Sequence, residues 1–362
     1  MIAMSSFVFT MFPAAIAFLL TLSLVPIVRI LCIRCRLLDA PGPLKTHAQP
    51  VPRMGGVAVA LAICGAAFLS SPQRAISTWP FFVALVLIWA AGFADDLRSI
   101  SPIFRLGVQF IAGASLWRHG WRLPFLGKGP LDLLATAGFV AAFANSINLL
   151  DGIDGLAAGV VAIMAAAYLA LPGALISPFA LLVASVLAAA CAGFLPFNFG
   201  SRAKIYLGDS GSTILGGIVA FLALDLYRSR FANRSILLFP LLIAAIPLLD
   251  GAFAIIRRSR ARASPLDGDR RHLYDQIHKR GWPTRRIVLA FYGATALLAA
   301  VALWGVWKVS LLFWIVVLIG VGTIVLAAIR LGVLQSGERS SPARDATAQR
   351  MENGLGGTSA TR

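Results

Sequence analysis

Two asparagines and two aspartates recur at three-residue spacing in NSINLLDGIDGLAAG, residues 145–159, directly behind a largely apolar run. Read as helix, Asn145, Asn148, Asp151 and Asp154 form a polar ledge whose neighbouring members share a face. Gly152 and Gly155 leave room beside the carboxylates for a backbone, a phosphate or an ion. An ionised Asp inside a membrane costs about 2.5–3.5 kcal/mol on insertion scales, so two of them here favour a functional ledge over a solvated turn.

Further acids follow the same logic. IWAAGFADDLRSI ends an apolar window on Asp95 and Asp96. Their mutual repulsion is relieved by a divalent cation, and Mg2+ suits carboxylates combined with phosphate oxygens and water. A solvated helix end beside Arg98 is the plainer alternative. In FNFGSRAKIYLGDSGSTILGG, Asp209 sits between Gly208 and Ser210 at a helix start, where backbone N–H groups favour an anion; Arg202 and Lys204 add positive charge. The competing reading is a capping turn. Asp250 lies two turns before Arg257 and reads as half of an internal ion pair.

Two basic segments complete the set. DAPGPLKTHAQPVPRMGG carries Lys45, His47 and Arg53 on a proline-stiffened loop, where they either hold phosphate or simply mark the inner side of a membrane. Residues 257–286 hold ten Lys and Arg, interrupted by Asp267, Asp269, His272, Tyr274, Asp275 and His278. That mixture suits a shaped pocket better than a lipid-binding surface. Tyr274, Asp275 and the two histidines are expected to read the hydroxyls of a sugar. Paired carboxylates, a Gly-flanked Asp and fixed cations suit phosphoryl transfer, in which placement and charge do most of the catalytic work.

The elements that must position these residues are membrane helices. Apolar residues make up 59% of 362 positions and charged residues 13%, against roughly a quarter charged in soluble domains. Eleven apolar windows, centred near residues 20, 62, 87, 110, 140, 164, 187, 219, 246, 297 and 320, predict an all-α polytopic membrane protein of 10–11 spans. The first window reads as a retained helix. Residues 1–334 form one membrane-embedded domain; 335–362, polar and Gly-rich, are expected to be a disordered cytoplasmic tail. Of the 32 Lys and Arg, 24 fall on alternate loops that end with the tail, which puts the N-terminus outside and the C-terminus in the cytoplasm. This topology also accounts for the +17 charge without nucleic acid. Cys32 and Cys35 form a lone CxxC lacking a second ligand pair, which is weak support for a metal or redox site.

DAPGPLKTHAQPVPRMGG, GFADD, NSINLLDGIDGLAAG, YLGDSGS and PLLDGAFAIIRR, in this order, resemble segments of the polyprenyl-phosphate N-acetylhexosamine-1-phosphate transferases. The resemblance implies a multi-pass enzyme of the bacterial inner membrane with its active site facing the cytoplasm. Such an enzyme is Mg2+-dependent, with Mn2+ as substitute, and moves a sugar-1-phosphate from a UDP-N-acetylhexosamine, GlcNAc by default, to undecaprenyl or another polyprenyl phosphate, releasing UMP. This is the first membrane step of an envelope polysaccharide. A homodimer is compatible with it. The resemblance assigns Asp95 and Asp96 to the lipid-phosphate and metal side, with one of them as a base toward the acceptor, and Asp209 to the metal. It assigns Asn148, Asp151 and Asp154 to the nucleotide site, Lys45 to the nucleotide or its phosphates, and His272 to the first place of a His-rich loop motif. Tyr274 and Asp275 stand where related enzymes carry histidines, which argues against the MurNAc-pentapeptide member of the superfamily.

Two other classes fit less well. DGIDGLAA also opens a CDP-alcohol phosphotransferase signature, but Gly159 replaces the required Arg and the next acid is Asp209. An Asp-coupled transporter would place acids near mid-membrane and on both sides, whereas these gather at one end. The charge split makes a prediction about topology. Single Cys probes at Ser99, Ser201 and Ser264 are expected to label only from the cytoplasmic side, and probes at Ser71 or Ser229 from outside. Outside labelling at any of the first three would break up the proposed site.

Overall fold

The computed structural model describes residues 2–39, 49–123, 127, 129–200, 203–230, 234–262, 264 and 271–334. Lys45, His47, Arg202, Asp267, Asp269 and the tail from 335 lie outside the described residues. The helices are α1 (Ile2–Arg34), α2 (Gly55–Ser70), α3 (Pro72–Ser77), α4 (Trp79–Leu97), α5 (Pro102–Arg118), α6 (Pro130–Leu150) and α7 (Leu156–Leu169). They continue as α8 (Pro178–Asn198), α9 (Gly208–Arg230), α10 (Arg234–Ile243), α11 (Ala245–Arg260), α12 (Leu273–His278), α13 (Thr284–Trp307) and α14 (Leu311–Arg330). The described extended backbone is one antiparallel pairing of Leu38–Asp39 with Val51–Pro52.

The protein is all-α and polytopic, and each of the eleven expected windows contains a helix. Among the described residues, seven helices are long and apolar enough to cross a membrane by themselves: α1, α4, α6, α8, α9, α13 and α14. The shortfall from eleven has identifiable causes. Helices of 16 and 14 residues, α2 and α7, reach only about 24 and 21 Å, less than a hydrocarbon core of about 30 Å. The window near 246 is a pair, α10 and α11, bent by 68°. Helix α5 carries Arg105 and Gln109 within its 17 residues.

Helix α9 is the axis of the bundle. Its membrane-length stretch is entirely buried, and it packs against α2, α4, α6, α7, α8 and α10. Glycine at the contacts permits this approach, as small residues do in membrane helix pairs. A Cβ on Gly56 would lie 2.2 Å from the backbone N of Gly211, one on Gly92 2.5 Å from Asp209 O, and one on Gly216 2.5 Å from Phe143 O. At the end of α9 away from Asp209, the indole N–H of Trp121 donates to Asp225 (2.9 Å), tying the segment after α5 to α9, and that of Trp117 donates to Asp132 (2.8 Å), tying α5 to α6.

The α2–α9 contact yields a stability prediction. Because the obstacle to a Gly56 side chain is backbone, Gly56→Ala is expected to cost about 1–3 kcal/mol or more and lower the Tm in detergent. An unchanged melting curve would show that α2 and α9 are farther apart than described.

Candidate active site

The site begins where α4 ends against the start of α9. Gly208 turns the chain at φ +76°, and both oxygens of Asp96 accept backbone N–H groups of the first α9 turn, from Asp209 and Ser210, each at 2.9 Å. Asp96 thus caps a neighbouring helix rather than its own, a favourable place for negative charge. Asp209 is left at the helix start with a side chain about one-third exposed. Asp95 turns the other way: Oδ1 accepts from Ile100 N at 2.8 Å and Oδ2 from Arg105 at 2.5 Å. The repulsion expected between Asp95 and Asp96 is therefore relieved by separate protein partners.

Arg105 joins the carboxylates, since the same Nη1 also reaches Asp209 Oδ2 at 3.1 Å. On the other side of Asp209, the amide N of Asn148 donates to Oδ1 (2.5 Å) and to Ser212 Oγ (2.9 Å). Residues of α4, α5, α6 and α9 are thereby linked into one network.

The polar ledge is divided by the end of α6 at Leu150. Asn145 is committed to Gln109 Oε1 at 2.5 Å, whereas Asn148 faces Asp209. Asp151 and Asp154 lie beyond the helix, on a turn that closes with Gly155 at φ +80°. Gly155 N–H donates to Asn198 Oδ1 (2.8 Å), and its carbonyl accepts from Tyr292 OH (2.6 Å). Asp154 Oδ2 accepts from Ala203 N at 3.2 Å. The Asp151 side chain forms no hydrogen bond or ion pair among the described residues; burial, then repulsion from Asp209, Asp96 and Asp154, pushes its carboxyl well above the usual range. Burial and the facing carboxylates of Asp154, Asp39 and Asp151 likewise raise the phenol of Tyr206.

Two cavities meet at these residues. The first, about 330 Å³, is lined by Asp39, Asp95, Asp96, Asp151, Asp154 and Asp209, together with Arg53, Asn148, Asn198 and Tyr206. The second, about 400 Å³, runs between α5, α6 and α11; Leu106, Phe110, Leu149, Leu248 and Ile255 line it, with Arg105 and Arg258 as its cations. Asn148 lines both. A carboxylate chamber thus opens beside an apolar groove.

His272 is placed off the chamber wall. It is buried and its Nδ1 lies 2.7 Å from Asp250 Oδ2, while Asp250 Oδ1 accepts from Leu273 N. The expected Asp250–Arg257 pair is absent, because the next segment uses both Asp250 oxygens; Arg257 reaches Val333 O at 2.6 Å. Tyr274 and Asp275, expected to read a sugar, are buried as well. Asp275 accepts from His272 N as part of a capping box, and Tyr274 OH donates to Leu149 O at 3.1 Å, packed so closely on Gly152 that a Cβ there would meet the phenol oxygen at 2.0 Å. Their described contacts support α12 and the 151–155 turn. Lys45 cannot be placed, lying outside the described residues. Cys32 donates its S–H to Arg53 O at 3.0 Å, and Cys35 is free and exposed.

Residues 78–227, which span α4 to α9 and most of both cavities, match glycosyl transferase family 4. Similarity extends beyond them. The chain is 33% identical over 302 residues to the decaprenyl-phosphate N-acetylglucosaminephosphotransferase of Mycolicibacterium smegmatis, covering 73% of this chain and 74% of that one. The Mycobacterium leprae protein of the same name is 31% identical, with 74% and 76% covered. The undecaprenyl-phosphate alpha-N-acetylglucosaminyl 1-phosphate transferase of Salmonella typhi is 30% identical, with 78% and 80% covered. The chain belongs to glycosyl transferase family 4. Membership sets aside the transporter and CDP-alcohol readings.

Arg105, Asn198 and Tyr292 carry much of the site geometry although the sequence singles out none of them, Asn198 even lying within the quoted segment that contains Asp209. Their partners lie 104, 43 and 137 positions away, and no local pattern marks such pairs. Asp209 is the test of the network. Asp209→Asn keeps an acceptor toward Asn148 but removes the charge, and is expected to leave a folded protein with kcat lowered about 10²–10³-fold. Near-normal turnover would remove Asp209 from the chemistry.

Proposed function

We propose that this protein transfers GlcNAc-1-phosphate from UDP-GlcNAc to a polyprenyl phosphate, releasing UMP at the cytoplasmic face of a bacterial inner membrane. The observation that carries the reading is the shared wall at Asn148: a polar chamber for a charged nucleotide donor adjoins an apolar groove for an isoprenoid. The names of the relatives, each a polyprenyl-phosphate N-acetylglucosamine-1-phosphate transferase, supply the donor sugar and the lipid class.

The lipid phosphate lies at the Arg105 and Arg258 end of the groove, its chain along Leu106, Phe110, Leu248 and Ile255. One of its oxygens attacks the β-phosphorus of the donor. The new P–O bond forms as the bond from that phosphorus to the bridging oxygen breaks, and the electron pair leaves on UMP. A monoester phosphate with a second pKa near 6 is largely ionised at neutral pH, so the attack requires little help from a base. Asp95 and Asp96, both engaged with N–H donors, fix Arg105 and the start of α9.

The residues present fit a divalent cation. Asp151 is a carboxylate without a protein partner in a chamber walled by five others. Mg2+ commonly takes one or two carboxylates and completes its shell with phosphate and water. Asp209 and Asp151 would hold Mg2+, or Mn2+ in its place. When bound, the ion supplies Lewis-acid charge to the diphosphate oxygens.

Purified protein incubated with UDP-GlcNAc, undecaprenyl phosphate and Mg2+ is expected to yield a lipid-linked GlcNAc diphosphate and an equal amount of UMP. UDP-GalNAc in place of UDP-GlcNAc tests the sugar. Absence of a lipid product with every UDP-N-acetylhexosamine would overturn the reading.

A further inference from the structure

Among the described residues, the chamber wall holds one cation that the network above does not use. Arg105 is shared between Asp95 and Asp209. Arg53 also lines the chamber, near enough for its charge to act on Asp96, yet its side chain makes no hydrogen bond or ion pair among the described residues. Its Nε is buried without a partner. A guanidinium facing six carboxylate side chains and bonded to none of them is unusual, because buried N–H donors are almost always satisfied.

The backbone holds Arg53 firmly. Its N–H donates to Leu37 O (3.4 Å), and its carbonyl accepts from Cys32 Sγ. Next to it, Pro52 O accepts from Tyr206 N, and Gly55 N–H donates to Tyr206 O, each at 2.8 Å. Met54 completes the segment at φ +98°, a left-handed conformation that a non-glycine residue adopts only when its surroundings impose it. The segment is thus fixed on both sides while the side chain it presents has no partner.

We infer that Arg53 binds the phosphate that leaves with uridine, the α-phosphate of the donor and the sole phosphate of UMP. This rests on the donor reading above. A guanidinium matches phosphate by its planar fork of donors and keeps its charge at any working pH. The donor is favoured over the lipid phosphate by position. Arg53 shares the chamber with Asp151, Gly152, Ile153 and Asp154, whereas the cations of the apolar groove are Arg105 and Arg258. Arg53 would therefore hold the leaving group while the groove cations hold the nucleophile.

The test compares UMP with uridine, which differ by this phosphate alone. In full-length protein in detergent with Mg2+, Arg53→Gln is expected to weaken equilibrium UMP binding about tenfold or more, and uridine binding by less than about twofold. The KM for UDP-GlcNAc should rise while that for undecaprenyl phosphate stays constant, and Arg53→Lys should recover part of the loss. In the wild type, UMP but not uridine should protect Arg53 from phenylglyoxal, read by peptide mass spectrometry, a result that does not depend on any variant folding. Equal losses for UMP and uridine, a rise confined to the lipid KM, or labelling insensitive to UMP would each overturn the assignment. Wild-type protein that binds neither UMP nor UDP-GlcNAc would instead remove the donor reading, and this inference with it.

Discussion

The geometry of the site depends on one carboxylate, Asp96, accepting two backbone N–H groups at the start of a buried helix. Helix α9 begins inside the bundle, where unpaired N–H groups would otherwise lack partners. Asp96 satisfies two of them from the end of α4, which locks the two helices in register and places Asp209 at the chamber wall. Arg105 and Asn148 then bind Asp209 from α5 and α6. Glycine at positions 56, 92 and 216 is the packing counterpart: α9 can sit at the axis only because its neighbours present no side chain where they meet it.

A second constraint acts on the turn after α6. Gly155 has both its N–H and its carbonyl bonded by side chains, Asn198 from α8 and Tyr292 from α13, while Tyr274 supports Gly152 and Leu149 from α12. A short turn that would fray on its own is held from three helices. Asp151 consequently keeps its place in the chamber despite strong repulsion from its neighbours, a strained arrangement of the kind found at working sites.

The helical class and the gathering of acids at helix ends were legible because both are local properties. Apolar windows report burial in lipid, and carboxylates gathered at helix ends report a polar chamber. Asn148, Asp151 and Asp209 could be singled out on that basis. The ledge reading breaks after Asn148 because periodicity assumes a continuous helix and α6 stops at Leu150, leaving Asp151 and Asp154 on a turn; Asn145, still on the helix, is taken up by Gln109. Tyr274 and Asp275 read as sugar-binding residues from their donors and acceptors alone; in the fold both are buried, with Asp275 capping α12 and Tyr274 supporting the turn. Their roles depend on tertiary partners, as do those of Arg105 and Tyr292, and local sequence carries no record of those pairings.

The electrostatics of the two cavities bear on how two phosphates of like charge come to react. The chamber wall holds six aspartates, and a bare diphosphate entering it would meet repulsion of several kcal/mol, about 4 kcal/mol per close charge pair at an intermediate effective dielectric. On the proposed reading the donor enters with a divalent cation, so the chamber accepts a charge-compensated ligand and disfavours the free anion. The groove has the opposite character, with Arg105 and Arg258 among apolar side chains, and on the same reading it takes the lipid phosphate. Arg105 stands on the boundary, since it lines the groove while its guanidinium bonds Asp95 and Asp209 of the chamber. On the proposed reading, a lipid phosphate at Arg105 would compete with those two carboxylates for one guanidinium, so the residue that receives the acceptor is also the one that steadies Asp209.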